Sequence, residues 1–146
     1  MISIINGYYK YGDNVVFNNL NLEIEEGKIT AIIGNNGSGK TTLSYLLSGL
    51  LFLKDGTITI DKLNINKKTK SIDIRKKISI VMQNPDNFII FDKVRDEIEF
   101  TLKNMFLKYN EEIIANILRQ VKMDKYIDSN PYEMSQGQKQ KIAIAS

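Results

Sequence analysis

Cysteine is missing from this 146-residue chain, and so is any apolar run approaching the roughly 20 residues that a membrane-spanning helix needs. The first absence excludes a disulfide framework and is compatible with a reducing compartment. The second excludes a helical span. The start of the chain shows no charged leader followed by an apolar core, so nothing resembles a signal peptide. Internal repeats, low-complexity tracts and long flexible linkers are lacking as well. What remains, 42% hydrophobic and 25% charged residues, is the composition of a globular, cytosolic domain. The net charge of +3 comes partly from Lys67, Lys68, Lys70, Arg75, Lys76 and Lys77, around a stretch that reads as hairpin-like. No aromatic residues interleave with those lysines, as a groove for single-stranded nucleic acid requires. They are read as a solvated sheet edge that charge keeps from pairing with other chains.

Against these absences stands Gly34-Asn35-Asn36-Gly37-Ser38-Gly39-Lys40-Thr41-Thr42, which fills every fixed position of the phosphate-binding pattern G-x-x-x-x-G-K-[ST]. A triphosphate is a dense anion, and successive backbone N–H groups wrap it only where no Cβ intervenes. Lys40 is placed to reach the β- and γ-phosphates and Thr41 to offer a hydroxyl to Mg²⁺, while Thr42 adds an α-phosphate contact. The helix beginning there points its positive end at the anion. Context agrees, because residues 28–33 read as a buried strand before the loop and residues 40–49 as a helix after it, closed by Gly49. This loop alone does not choose among kinases, GTPases and transport ATPases.

Further strands are expected near 2–8, 19–24, 56–61 and 77–83, and helices near 93–107, 111–121 and 136–145. Asn110 is a natural cap for the second of these helices, with acids in its first turn and apolar residues at 113, 114, 117, 118 and 121. Ser129-Asn130-Pro131 breaks the chain ahead of the last helix. There Ser135 is the N-cap, and several N–H groups beyond it are free, which makes a second place for phosphate.

The segment Met134-Ser135-Gln136-Gly137-Gln138-Lys139-Gln140-Lys141 resembles the signature of ATP-binding-cassette (ABC) ATPases, usually written LSGGQ. Met134 stands for the usual leucine, a mild exchange. Gln136 stands for the first glycine and puts a side chain where the family's backbone closes on the γ-phosphate. Gln83-Asn84-Pro85-Asp86-Asn87 resembles the family's Q-loop, and this resemblance implies that Gln83 touches Mg²⁺ and the attacking water. Tyr11, in Gly7-Tyr8-Tyr9-Lys10-Tyr11-Gly12, matches by position the aromatic residue that stacks on adenine in the family. The run around 83–100, including Val94-Arg-Asp-Glu-Ile98, looks most like ATP-binding subunits of energy-coupling-factor (ECF) importers.

The resemblance implies an α/β P-loop NTPase with an N-terminal antiparallel part, a core sheet and a helical subdomain. Residues 1–83 correspond to the nucleotide-binding core, 84–134 to the helical subdomain and 135–146 to the start of the signature helix. ATP and Mg²⁺ are the implied cofactors. The phosphate loop, Gly34 to Thr42, and Tyr11 bind one nucleotide, while Ser135, Gln136, Gly137 and Gln138 meet the phosphate held by a second ABC subunit. Lys40 and Gln83 carry the catalytic roles. Integral membrane transport subunits are the further partners, nucleic acid is not expected, and the place of work is the cytoplasmic face of the cell membrane. The transported solute is a vitamin or metal ion. A soluble ABC ATPase acting on ribosomes or nucleic acid shares every motif, and a non-catalytic remnant is the other alternative. A small-molecule kinase would lack Ser135-Gln136-Gly137-Gln138.

The Walker B acids, the D-loop and the switch histidine of the family do not occur in these residues, which contain no histidine at all. At best weak ATP binding, with little or no turnover, is therefore expected of the 146 residues alone. The strands that normally flank the phosphate-loop strand are missing with them, so Ile32 and Ile33 should meet water. The free 146-residue chain is accordingly expected to be marginally stable or prone to aggregate. A thermal melt monitored by circular dichroism checks this, and a cooperative, high-temperature transition of a soluble monomer contradicts it.

Overall fold

The computed structural model describes residues 1–146, which divide into two compact units, Met1–Ile80 and Val81–Ser146. Four strands and five helices place the chain in the α/β class.

The first unit is built on a four-stranded antiparallel sheet in the order β2-β1-β3-β4. Strands β1 (Ile2–Tyr11) and β2 (Asn14–Ile24) form a hairpin whose tight turn pairs Tyr11 with Asn14. On its other side β1 pairs with β3 (Asp55–Ile60), which sets Ile4 opposite Ile58 and Ile2 opposite Ile60. The short β4 (Leu63–Asn64) completes the sheet. Ile4, Tyr9, Ile58 and Ile60 turn inward, and helix α1 (Lys40–Leu47) lays Leu43, Leu46 and Leu47 into the same core. Gly49, with φ 71°, follows the end of that helix as expected.

Two local expectations change. The lysine-rich stretch does not run along a hairpin edge: an Asn66–Thr69 turn leads into a short helix, α2 (Ser71–Arg75). The Thr69 hydroxyl accepts from the Asn66 amide at 3.1 Å and donates to the Asn64 carbonyl at 2.7 Å, which fixes the turn. Ile74 then sinks into the core at 2% exposure, while the cations stay outside. Residues 28–33 and 77–83 form no strand. A strand exists only where a neighbour completes its ladder, and no strand of this sheet pairs with either segment. Ile29 and Ile33 are accordingly 103% and 91% exposed.

The second unit packs α3 (Val94–Asn104), α4 (Glu111–Gln120) and α5 (Gln136–Ala145) around Val94, Ile98, Leu102, Ile114, Leu118, Met123 and Ile142. The Asn110 side chain accepts from the Ile113 amide at 2.9 Å, so α4 starts where its cap dictates. α3 stops short of 107 because Phe106 takes φ 57° and the Leu107 amide turns back to the Leu102 carbonyl. Arg95 ties α3 to its surroundings by bonding Asp128 through Nε and one terminal nitrogen and Glu111 through the other. Both carboxylates hold its guanidinium above its ordinary pKa, Glu111 most. Buried Glu97 accepts from the amides of Ile90 and Phe91, satisfying a stretch of loop backbone that has no strand partner.

Leu118 is fully buried, whereas Ile113 on the same helix is 38% exposed. Leu118→Ala is expected to destabilise by about 2–5 kcal/mol, and Ile113→Ala by well under half of that. Urea unfolding midpoints of the two variants check the contrast.

Candidate nucleotide-binding site

Between β2 and α1 the chain makes a tight loop whose shape is set by two glycines in the left-handed region, Gly37 at φ 84° and Gly39 at φ 93°. Gly39 is also the residue on which the loop rests. A Cβ there would stand 2.8 Å from Val16 Cγ1 and 2.9 Å from Phe17 Cζ, so β2 forms a floor directly under the start of α1. The Ser38 amide closes on the Asn35 carbonyl at 3.2 Å. The amides of Gly37, Gly39, Lys40 and Thr41 donate to no group of the chain, and they stand where the helix dipole is positive.

Lys40 lies across this loop, with Nζ donating to the Gly34 carbonyl at 2.8 Å and the Asn35 carbonyl at 2.7 Å. Its ammonium therefore sits over the loop and can exchange two neutral carbonyls for phosphate oxygens. Thr41 is exposed and Thr42 is buried against the core side of α1. Asn35, Asn36 and Ser38 are exposed along the rest of the loop. A hydroxyl beside free amides suits a hard cation held mostly by phosphate oxygens and water, so Thr41 fits the Mg²⁺ that the motif implies.

At the far end of β1, Tyr11 is 46% exposed and meets the buried Tyr9 ring edge-on, with centroids 5.0 Å apart and planes at 85°. Burial pushes the Tyr9 phenol above its usual pKa, and the neighbouring Tyr11 adds to the rise. Tyr9 is thus packed, and Tyr11 is the exposed ring of the two. Lys54 approaches the Tyr9 ring at 6.0 Å.

In the second unit Gln83 is exposed just ahead of a 3-10 turn, Pro85–Asn87. Asn84 caps that turn by accepting from the Asp86 amide at 3.0 Å. Ser135 caps α5 with a full capping box: its amide donates to Gln138 Oε1 at 3.0 Å, and its hydroxyl accepts from the Gln138 amide at 3.4 Å. The amides of Gln136 and Gly137 bond to nothing in the chain and face outward on exposed residues. Gln138 is thereby engaged in the cap, and the next two amides are left for an anion.

Three features were not read from the sequence. The floor of Val16 and Phe17 under Gly39 lies outside the strand expected at 19–24, because β2 already begins at Asn14. Glu97 looked like one of several first-turn acids of α3. The ion pair of Lys139 with Asp86, 2.7 Å, joins residues 53 positions apart and leaves no local signal.

A left-handed glycine loop feeding a helix, with a lysine over it, defines a phosphate-binding P-loop protein. The sequence profile described as ABC transporter matches residues 17–146. This chain belongs to the ABC transporter family. It is 43% identical, over its whole length, to the energy-coupling factor transporter ATP-binding protein EcfA1 of Mesomycoplasma hyopneumoniae, and covers 55% of that protein. Among solved structures it is similar to cbiO1 from Clostridium perfringens, part of the ABC transporter complex cbiONQ, with a TM-score of 0.85 and 32% identity over 99% of this chain and 59% of that one. It is also similar to the dimeric, post-hydrolysis form of the ATP-binding cassette MJ0796 bound to ADP and Pi, with a TM-score of 0.80 and 28% identity over 99% of this chain and 68% of that one. The chain thus spans about half the length of the curated relative.

Gly39→Ala combines a left-handed φ with a Cβ overlapping Val16 and Phe17. The expected result is a loss of stability of about 1–3 kcal/mol together with a loss of nucleotide affinity. Gly137→Ala has open space around it and should leave stability unchanged. Paired thermal melts and nucleotide titrations distinguish the two.

Proposed function

We propose that this chain is the ATP-binding and ATP-hydrolysing part of an energy-coupling-factor type importer, taking up a vitamin or a metal ion. The observation that carries this reading is the loop at 34–42, with free amides at the start of α1 and the Lys40 ammonium lying across them. The similarity to EcfA1 and to cbiO1 supports the transporter type. In this reading residues 1–83 form the nucleotide-binding core, 84–134 the helical subdomain and 135–146 the start of the signature helix.

The phosphates lie on the amides of Gly37, Gly39, Lys40 and Thr41, the adenine stacks on the open face of Tyr11, and Lys40 moves from the loop carbonyls to the β- and γ-phosphates. Mg²⁺ would be held by the Thr41 hydroxyl together with phosphate oxygens, and it would neutralise charge that develops during phosphoryl transfer. Ser135 and the free amides of Gln136 and Gly137 meet the γ-phosphate held by a second ABC subunit, so that two nucleotides join the pair head to tail. Gln83 orients the water that attacks in line. Closing and reopening of the pair drives membrane subunits from the cytoplasmic face of the membrane. A polypeptide of these 146 residues alone binds nucleotide without steady turnover.

Lys40→Ala removes charge-assisted hydrogen bonds worth about 1.5–3 kcal/mol. MgATP affinity measured by calorimetry is therefore expected to fall about tenfold to a hundredfold. Unchanged affinity in a folded variant would overturn the reading.

A further inference from the structure

We propose that Lys139 is a positioning residue: its ion pair with Asp86 couples the turn after Gln83 to the helix start that carries Ser135. The inference rests on the ATPase reading above and deepens it, because it names the link by which a displacement of the Gln83 segment reaches the phosphate-facing cap.

The turn is cross-braced by its own bonds. Asn84 accepts from the Asp86 amide, the buried Pro85 fixes its own φ, and the Phe88 amide donates to the Pro85 carbonyl at 3.0 Å. Asp86 projects from this turn to Lys139 Nζ at 2.7 Å. The Lys139 side chain is only 12% exposed, the least of any partner in the chain's ion pairs, Arg95 being next at 25%. Its partner Asp86 is 40% exposed, so the lysine stem is packed while the carboxylate end of the pair is open to solvent.

Lys139 is also part of the cap itself. Its amide donates to the Ser135 carbonyl at 2.9 Å and closes the first turn of α5, the turn that the Ser135–Gln138 box stabilises. On the chain side preceding Ser135, the Tyr132 hydroxyl donates to the Ile89 carbonyl at 3.1 Å. The segment after Gln83 is thus fastened to residues on both sides of Ser135. Glu97 holds the next stretch, through the amides of Ile90 and Phe91, onto α3. A pull on Asp86 therefore acts on the turn whose free amides face the anion.

The test compares Asp86→Asn, Lys139→Met and the exchanged pair Asp86→Lys with Lys139→Asp, in the transporter assembled with its own partners. Hydrogen exchange reads the bonded amides of Gln138 and Lys139, with those of α4 as control, and MgATP turnover is split into kcat and KM. Each single variant is expected to speed exchange at Gln138 and Lys139 at least threefold without change in α4. Each should also lower kcat about tenfold with KM within twofold, and the exchanged pair should recover both. Exchange rising equally in α4, parallel loss in kcat and KM, or no recovery in the exchanged pair would overturn the proposal. A wild-type assembly without ATP turnover would sink the ATPase reading instead, and the exchange measurement would still decide whether the pair couples turn and cap.

Discussion

The backbone at Gly39 lies on Val16 and Phe17 with no room for a methyl group, and the nucleotide-facing side of the first unit depends on that contact. It fixes where α1 begins relative to the sheet, and so where four free amides point. Of these two, Phe17 sits in the ladder with β1, opposite Tyr9, and Val16 lies at the register shift beside it. The Tyr9–Tyr11 ring pair at the hairpin end and the phosphate loop are therefore anchored to one rigid strand pair. The hydrogen-bonded hairpin holds the ring pair and the loop at a set spacing without further cross-links.

The second unit reaches definition by a different route. Its apolar core is small, and its loops are held by side chains that replace missing ladder bonds: Asn84, Asn110, Asn130 and Ser135 each cap a turn or helix by accepting from a backbone amide. Glu97 does the same from inside the fold. Such contacts are individually modest, about 1 kcal/mol each, but directional. They set angles where apolar packing alone sets only distances.

Legibility in the sequence follows the range of the interactions. α4 was readable because its cap, its acids and its apolar stripe lie within a dozen consecutive residues. The phosphate loop was readable because glycine, lysine and threonine are each demanded locally. Residues 28–33 and 77–83 have the apolar character of buried strands, yet a strand is a relation between segments, and composition does not create the neighbour. Helix α2 was missed because the cations around Ile74 masked one buried side chain. The pairing of Asp86 with Lys139 and the floor beneath Gly39 are contacts between distant positions that no local pattern announces.

The two glycines nearest the two groups of free amides differ in what the fold demands of them. At Gly39 the chain itself forbids a side chain, through φ and through the strand beneath it. At Gly137 nothing of the chain lies within 4 Å of where a Cβ would be, and φ is ordinary. The fold would accept almost any residue there. No contact within the chain therefore accounts for a glycine at that place. Gln136, in place of the family's first glycine, is consistent with this. It occupies the first position of α5 with its side chain exposed and its amide unbonded, so the substitution changes what an incoming group meets without changing the helix that meets it.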